Sequence, residues 1–126
     1  MIKKEGPGWR IIRDSSRENF PTLIGGETWA IELNNSEWEN LVRVVMDLSD
    51  QYKSVKPQLM GDEDITLELE SSPWLAILKG DQYEWNLRLI LSDSGLLNRG
   101  AEIYWPKNVA SHVANAMRTM WDSDYL

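Results

Sequence analysis

Apolar residues alternate with polar ones at a period of two through Trp74–Leu91, W-L-A-I-L-K-G-D-Q-Y-E-W-N-L-R-L-I-L. That period belongs to a strand, and the run reads as the most apolar hairpin in the chain. Tyr83, Trp85, Leu87, Leu89 and Leu91 fall on one face. Lys79-Gly80-Asp81-Gln82 is the expected connection, with Gly80 free to take a positive φ and Asp81 suited to a tight turn. The opposite face carries Glu84, Asn86 and Arg88.

The rest of the chain extends or covers this hairpin. Gly6-Pro7-Gly8 opens a strand at Trp9–Asp14, and Thr22–Ile24 is a second short strand. Gly25-Gly26 is expected to turn the chain into Thr28–Leu33, where Trp29, Ile31 and Leu33 share a face. Asn34-Asn35-Ser36 then starts a helix. Asn35 or Ser36 is the expected cap, and Ser36-x-x-Glu39 has capping-box spacing. Trp38, Leu41, Val42, Val45, Leu48 and Tyr52 form one apolar stripe. Pro57 disfavours helix at Lys56, so the helix should stop near Val55. Ile65–Glu70 alternates again, with an acidic outer face. Ser92-Asp93-Ser94-Gly95 reads as a loop, Ala101–Trp105 as a strand, and Pro106 as the head of a second helix. Val109, Val113, Ala116, Met117, Met120 and Trp121 supply its apolar stripe, and the tail Asp122–Leu126 is expected to fray or dock weakly.

The predicted order is βββα–ββββα, two β-then-α repeats over residues 1–57 and 58–126. It implies one α+β domain, residues 1–126, with antiparallel β-sheets and two amphipathic helices.

Composition narrows the functional classes. Without cysteine, disulfides and thiolate metal sites are excluded. No apolar run approaches a membrane span, and the N-terminus lacks the apolar segment of a signal peptide, so a soluble cytoplasmic protein is expected. The net charge of −7 opposes nucleic acid at long range. Its distribution is uneven: residues 1–17 are locally basic, and Asp62, Glu63, Asp64, Glu68 and Glu70 are acidic without a neighbouring base. Both read as solvated surface.

Candidate chemistry is sparse. His112, the sole histidine, lies at the border of the second apolar stripe and reads as a half-buried structural residue. Gly61-Asp62-Glu63-Asp64 lacks calcium-loop spacing, and there is no phosphate-binding glycine motif or nucleophile elbow. No enzymatic site, cofactor or metal is expected. Seven tryptophans against one phenylalanine are more distinctive. Trp9-Arg10, Trp29, Trp74, Trp85-x-x-Arg88 and Tyr104-Trp105 form an aromatic and basic set on predicted strands, with Trp9, Arg10, Arg13, Trp29, Trp74 and Arg88 the candidate binding residues. Such a set stacks bases and neutralises phosphates when exposed, and forms the core and rim of a sheet when buried.

Several segments together resemble a family, the cyanobacterial domain of unknown function 1818. They are Gly6-Pro7-Gly8-Trp9-Arg10, Leu23-Ile24-Gly25-Gly26-Glu27-x-Trp29-Ala30-x-Glu32-Leu33, Glu37-Trp38, Leu59-Met60, Glu70-Ser71 and Leu87-Arg88-x-Ile90-Leu91. The resemblance implies a fold similar to the whirly-type single-stranded-DNA-binding transcription regulators, and no established activity. Whirly-type proteins carry a basic Lys-Gly-Lys-Ala-Ala-Leu motif that this sequence lacks. Fold likeness does not transfer function. The expectation is therefore a non-catalytic binding or regulatory module acting on a protein partner. Single-stranded nucleic-acid binding through Trp9, Arg10, Arg13 and Arg88 is the alternative. A homodimer is compatible with the resemblance.

Overall fold

The computed structural model describes residues 1–92 and 98–124, with side chains to Trp121. The expected loop at Ser92–Gly95 lies, from residue 93 on, outside the described residues. So do residues 125 and 126 of the tail.

Four strands, β1 (Ile2–Gly6), β2 (Trp9–Arg13), β3 (Thr22–Gly26) and β4 (Ala30–Leu33), form one antiparallel sheet in chain order. Helix α1 (Asn35–Val55) follows, closed by a single 3₁₀ turn at Lys56–Gln58. A second antiparallel sheet contains β5 (Ile65–Ser71), β6 (Trp74–Gly80), β7 (Trp85–Leu91) and β8 (Ala101–Trp105), also in chain order. Helix α2 (Ala110–Asp124) completes the chain. The α+β class, the antiparallel sheets, the two helices and the β-then-α repeat are all as expected. The first repeat has one strand more than the hydrophobic pattern predicts. β1, I-K-K-E-G, is mostly exposed and pairs with β2 at the sheet edge, so no buried face betrays it in sequence.

Both helices lie on the inner side. α1 packs on β5, β6 and α2, and α2 packs on β7. One core cluster joins Ile11, Ile24 and Leu33 of the first sheet, Leu78, Leu87, Leu89 and Trp105 of the second, and Leu41, Val45, Val113 and Met117 of the helices. Each fully buried aliphatic side chain stabilises the fold by roughly 1.5–3 kcal/mol relative to exposure. All six residues of the predicted α1 stripe are buried.

Several local expectations are corrected. Asn34, not Asn35 or Ser36, caps α1: its side chain accepts from the Glu37 N–H at 2.8 Å, and Glu37 Oε1 accepts from the Asn34 N–H at 2.9 Å. Leu33 is buried at the end of β4, and the cap follows it directly. Gly25 and Gly26 belong to β3, and the turn falls on Glu27 and Thr28, closed by Gly26 N–H to Trp29 O at 2.9 Å. A Cβ on Gly26 would stand 2.2 Å from Trp29 Nε1, so glycine admits the indole rather than making the turn. Gly8, at φ 81°, is the glycine with a positive φ among the described residues, and it turns β1 into β2. Gly80 has no such φ; it ends β6 where Tyr52 and Trp85 press on it. Tyr83 does not share the inner face of β7. It sits in the turn before that strand and is 74% exposed.

Candidate functional site

The outer face of the second sheet is built by register. Glu68 of β5, Ile77 of β6, Arg88 of β7 and Tyr104 of β8 are successive cross-strand partners and form one row. Glu70, Leu75, Ile90 and Glu102 form the row beside it, and Thr66, Lys79 and Asn86 a third. The helices cover the other face. Leu75, Ile77 and Ile90 are half-buried; Lys79, Arg88, Glu102 and Tyr104 are exposed. Arg88 Nε lies 3.5 Å from Glu102 Oε1, with both side chains mostly in water. Such a pair contributes little energy but orients both groups. A groove of about 300 Å³ runs between Ile77, Lys79, Asn86, Arg88 and Tyr104.

Tyr104 also lines a larger cleft of about 590 Å³, where the turns of the first sheet meet β8. Pro7 and Gly8 come from the β1–β2 turn, Glu27, Thr28 and Trp29 from the β3–β4 turn, and Glu102, Ile103, Tyr104 and Pro106 from β8 and its end. Trp29 links the walls. Its Nε1 donates to Tyr104 O at 3.3 Å, and its ring lies 5.2 Å from that of Trp105. Trp105 Nε1 in turn donates to Gly25 O at 3.1 Å, so two indoles pin the first sheet to the edge of the second. Among the described residues, two carboxylates line this cleft and no lysine or arginine does.

The structure divides the six residues singled out in sequence. Trp74 is a core residue, 1% exposed, with its Nε1 donating to Glu37 O at 2.8 Å; it presents nothing to a ligand. Arg13 is half-buried and engaged, donating to Thr22 Oγ1 at 2.7 Å and lying 5.2 Å from the Trp38 ring centre. Trp9 is half-buried and packs over Gly6, while Arg10 is exposed on β2 beside Gly25. Trp29 and Arg88 are the two that border the cleft and groove. Glu27 joins them at the cleft, and Tyr104 at both cleft and groove. The strand period puts Tyr104 opposite Ile103, but only the tertiary fold sets it between cleft and groove.

The groups with displaced pKa lie elsewhere. Asp81 accepts from Lys107 Nζ at 2.9 Å and from the Tyr83 and Glu84 N–H groups. The lysine hydrogen bond, then the two backbone ones, hold its carboxyl well below the usual carboxylate range, and the same contact raises Lys107. Burial raises the Tyr52 hydroxyl, which donates to the backbone oxygen of Asp81. The Ser16 side chain, then its N–H, lower Asp14. Glu37 is buried and meets Arg99 Nη1 at 2.6 Å, while Arg99 Nη2 donates to the Glu32 carbonyl. These groups secure turns and helix ends. Among the described residues, no helix is long and apolar enough to cross a membrane, and no three His, Cys, Asp or Glu side chains group as metal ligands.

No curated protein matches the chain. A crystal structure of a protein of unknown function from Prochlorococcus sp. NATL2A, a cyanobacterial protein ascribed to the DUF155 family, is 78% identical with a TM-score of 0.92; the match covers 96% of this chain and 99% of that one. The family model of the domain of unknown function DUF1818 matches residues 4–120, nearly the whole chain, and this protein belongs to that family.

Proposed function

We propose that the protein is a non-catalytic binding module that engages a protein partner through the outer face of its second sheet and the adjoining cleft. The observation that carries this reading is the composition of that face. Leu75, Ile77, Ile90 and Tyr104 lie among charges of both signs, Lys79 and Arg88 against Glu68, Glu70 and Glu102. An apolar centre with a mixed polar rim suits a protein surface. A phosphate backbone calls for an excess of base, which this face does not offer. The perturbed titratable groups do not converge on the cleft, as they would around an acid–base centre.

The test is capture from a cyanobacterial extract with the wild type, Ile77→Glu and Tyr104→Ala in parallel. Both changes sit on the outer face and leave the core intact. Proteins retained by the wild type and lost by both variants support the reading. Identical sets on all three sink it. A labelled single-stranded oligonucleotide at ~50 mM salt is run alongside; saturable binding that Arg88→Ala removes would replace the protein partner with nucleic acid.

A further inference from the structure

β8 is the outer strand of its sheet, and its polar backbone alternates in direction. Asp81 N–H bonds Glu84 O at 3.0 Å, and Ser92 N–H bonds Pro73 O at 2.9 Å, at the two ends of the β6–β7 ladder. Even-numbered residues of β7 therefore bond β6. Odd-numbered ones, Leu87, Leu89 and Leu91, bond their partners Trp105, Ile103 and Ala101. The N–H and C=O of Glu102 and Tyr104 point away from the sheet. Trp29 Nε1, reaching Tyr104 O, agrees with this direction. No other backbone group among the described residues bonds these two residues from outside. The cleft thus has a strand edge for one wall, with Glu102 N–H, Glu102 C=O and Tyr104 N–H open to a ligand.

The remaining walls define what fits. Pro7, Pro106, Ile103 and Val109 give apolar contact, and Trp29 and Tyr104 bring aromatic rings. Glu27 makes no ion pair among the described residues, and Glu102 has only the long, exposed contact with Arg88. Carboxylates beside aromatic rings favour a cation. The volume, about 590 Å³, accommodates a few residues of extended chain.

Resting on the protein-partner reading above, we infer that the cleft binds a short extended peptide segment carrying a lysine or arginine. The segment adds its backbone to the β8 edge at Glu102 and Tyr104. Its basic side chain lies between Trp29 and Tyr104, with Glu27 and Glu102 as counter-charges. Edge pairing supplies the extended geometry, and the carboxylates supply the preference for a base.

The experiment titrates the full ¹⁵N-labelled chain with the blocked peptide acetyl-Thr-Val-Arg-Val-Thr-amide. Saturable shifts at the Glu102 and Tyr104 amides and the Trp29 indole are expected. Replacing the peptide arginine by glutamate should abolish them. Glu27→Gln, an exposed change that leaves the fold intact, should weaken the arginine peptide about twofold to fivefold, the scale of a partly exposed charge contact. A peptide N-methylated at the arginine should lose at least as much, because the edge hydrogen bond is blocked. The inference falls if no saturation appears by a few millimolar, if both peptides bind equally, or if the shifts fall elsewhere. If the peptide fails while Ile77→Glu still strips a captured protein, the face binds and the cleft does not. If the peptide titrates while Ile77→Glu strips nothing, the cleft is the binding element on its own.

Discussion

The indole of Trp74 donates to the backbone oxygen of Glu37 at 2.8 Å, fastening the first strand of the central hairpin to the first turn of α1. Both residues are 1% exposed, so water cannot replace the bond. Glu37 is also half of the cap that starts the helix and the acceptor for Arg99. One helix end therefore holds β4, β6 and the approach to β8.

Trp74→Phe keeps most of the packing and removes the indole bond, while Glu37 O, inside α1, keeps its helical acceptor role. The expected loss is about 0.5–1.5 kcal/mol, the net contribution of one hydrogen bond. Urea unfolding measures it. An unchanged midpoint would mean that the bond contributes nothing net.

Arg99→Leu removes the Nη1 contact to the buried Glu37 carboxylate and takes the guanidinium from the Phe20 ring, 4.9 Å away. A loss of about 3 kcal/mol is expected, at the low end for a broken buried pair because Arg99 is partly exposed. Glu37→Gln in the same background should recover part of it. A double-mutant cycle that shows no coupling would refute the pairing.

Asp81 sets a pH dependence. Its folded pKa lies below the unfolded value near ~3.9, so its contribution is present above that value and is lost as pH falls through the folded pKa. Lys107 is raised, so its contribution is present below its unfolded value near ~10.4 and is lost as pH rises through the folded pKa. The stability difference between wild type and Asp81→Asn should be flat between these limits and shrink below about pH 4. Denaturation followed across pH 2.5 to 8 checks the shape. A difference that grew toward acid would have the wrong sign.

Gly26→Ala forces the Trp29 indole aside, since the new Cβ would stand 2.2 Å from Nε1. The indole then leaves Tyr104 O and the ring of Trp105. Overpacking of this kind costs about 1–3 kcal/mol. The Trp29 indole resonance should move with the stability loss. A variant as stable as the wild type, with that resonance unmoved, would remove Trp29 as the link between the sheets.

Much of the fold was legible in sequence because its core faces have clean periods. The alternation in Trp74–Leu91 and the stripe from Trp38 to Tyr52 each matched a buried face. β1 was not legible, because an exposed edge strand of Ile2, Lys3, Lys4 and Glu5 carries no periodic apolar face. The cap was misplaced by one or two residues because Asn34, Asn35 and Ser36 are all competent; the Asn34–Glu37 capping box is the one the structure forms. The candidate site was legible only in part. Trp29 and Arg88 stood out by type. Trp74 stood out equally and proved to be core.

By itself the sequence determined the α+β class, the two β-then-α repeats and the inner faces, because local periodicity and side-chain burial coincide there. The tertiary structure alone decided which tryptophans reach the surface and which residues line the cleft. An indole satisfies its N–H equally well at a rim or against a buried carbonyl, and the difference between Trp29 and Trp74 is made by partners 75 and 37 residues away. Contacts at that separation leave no period in the chain.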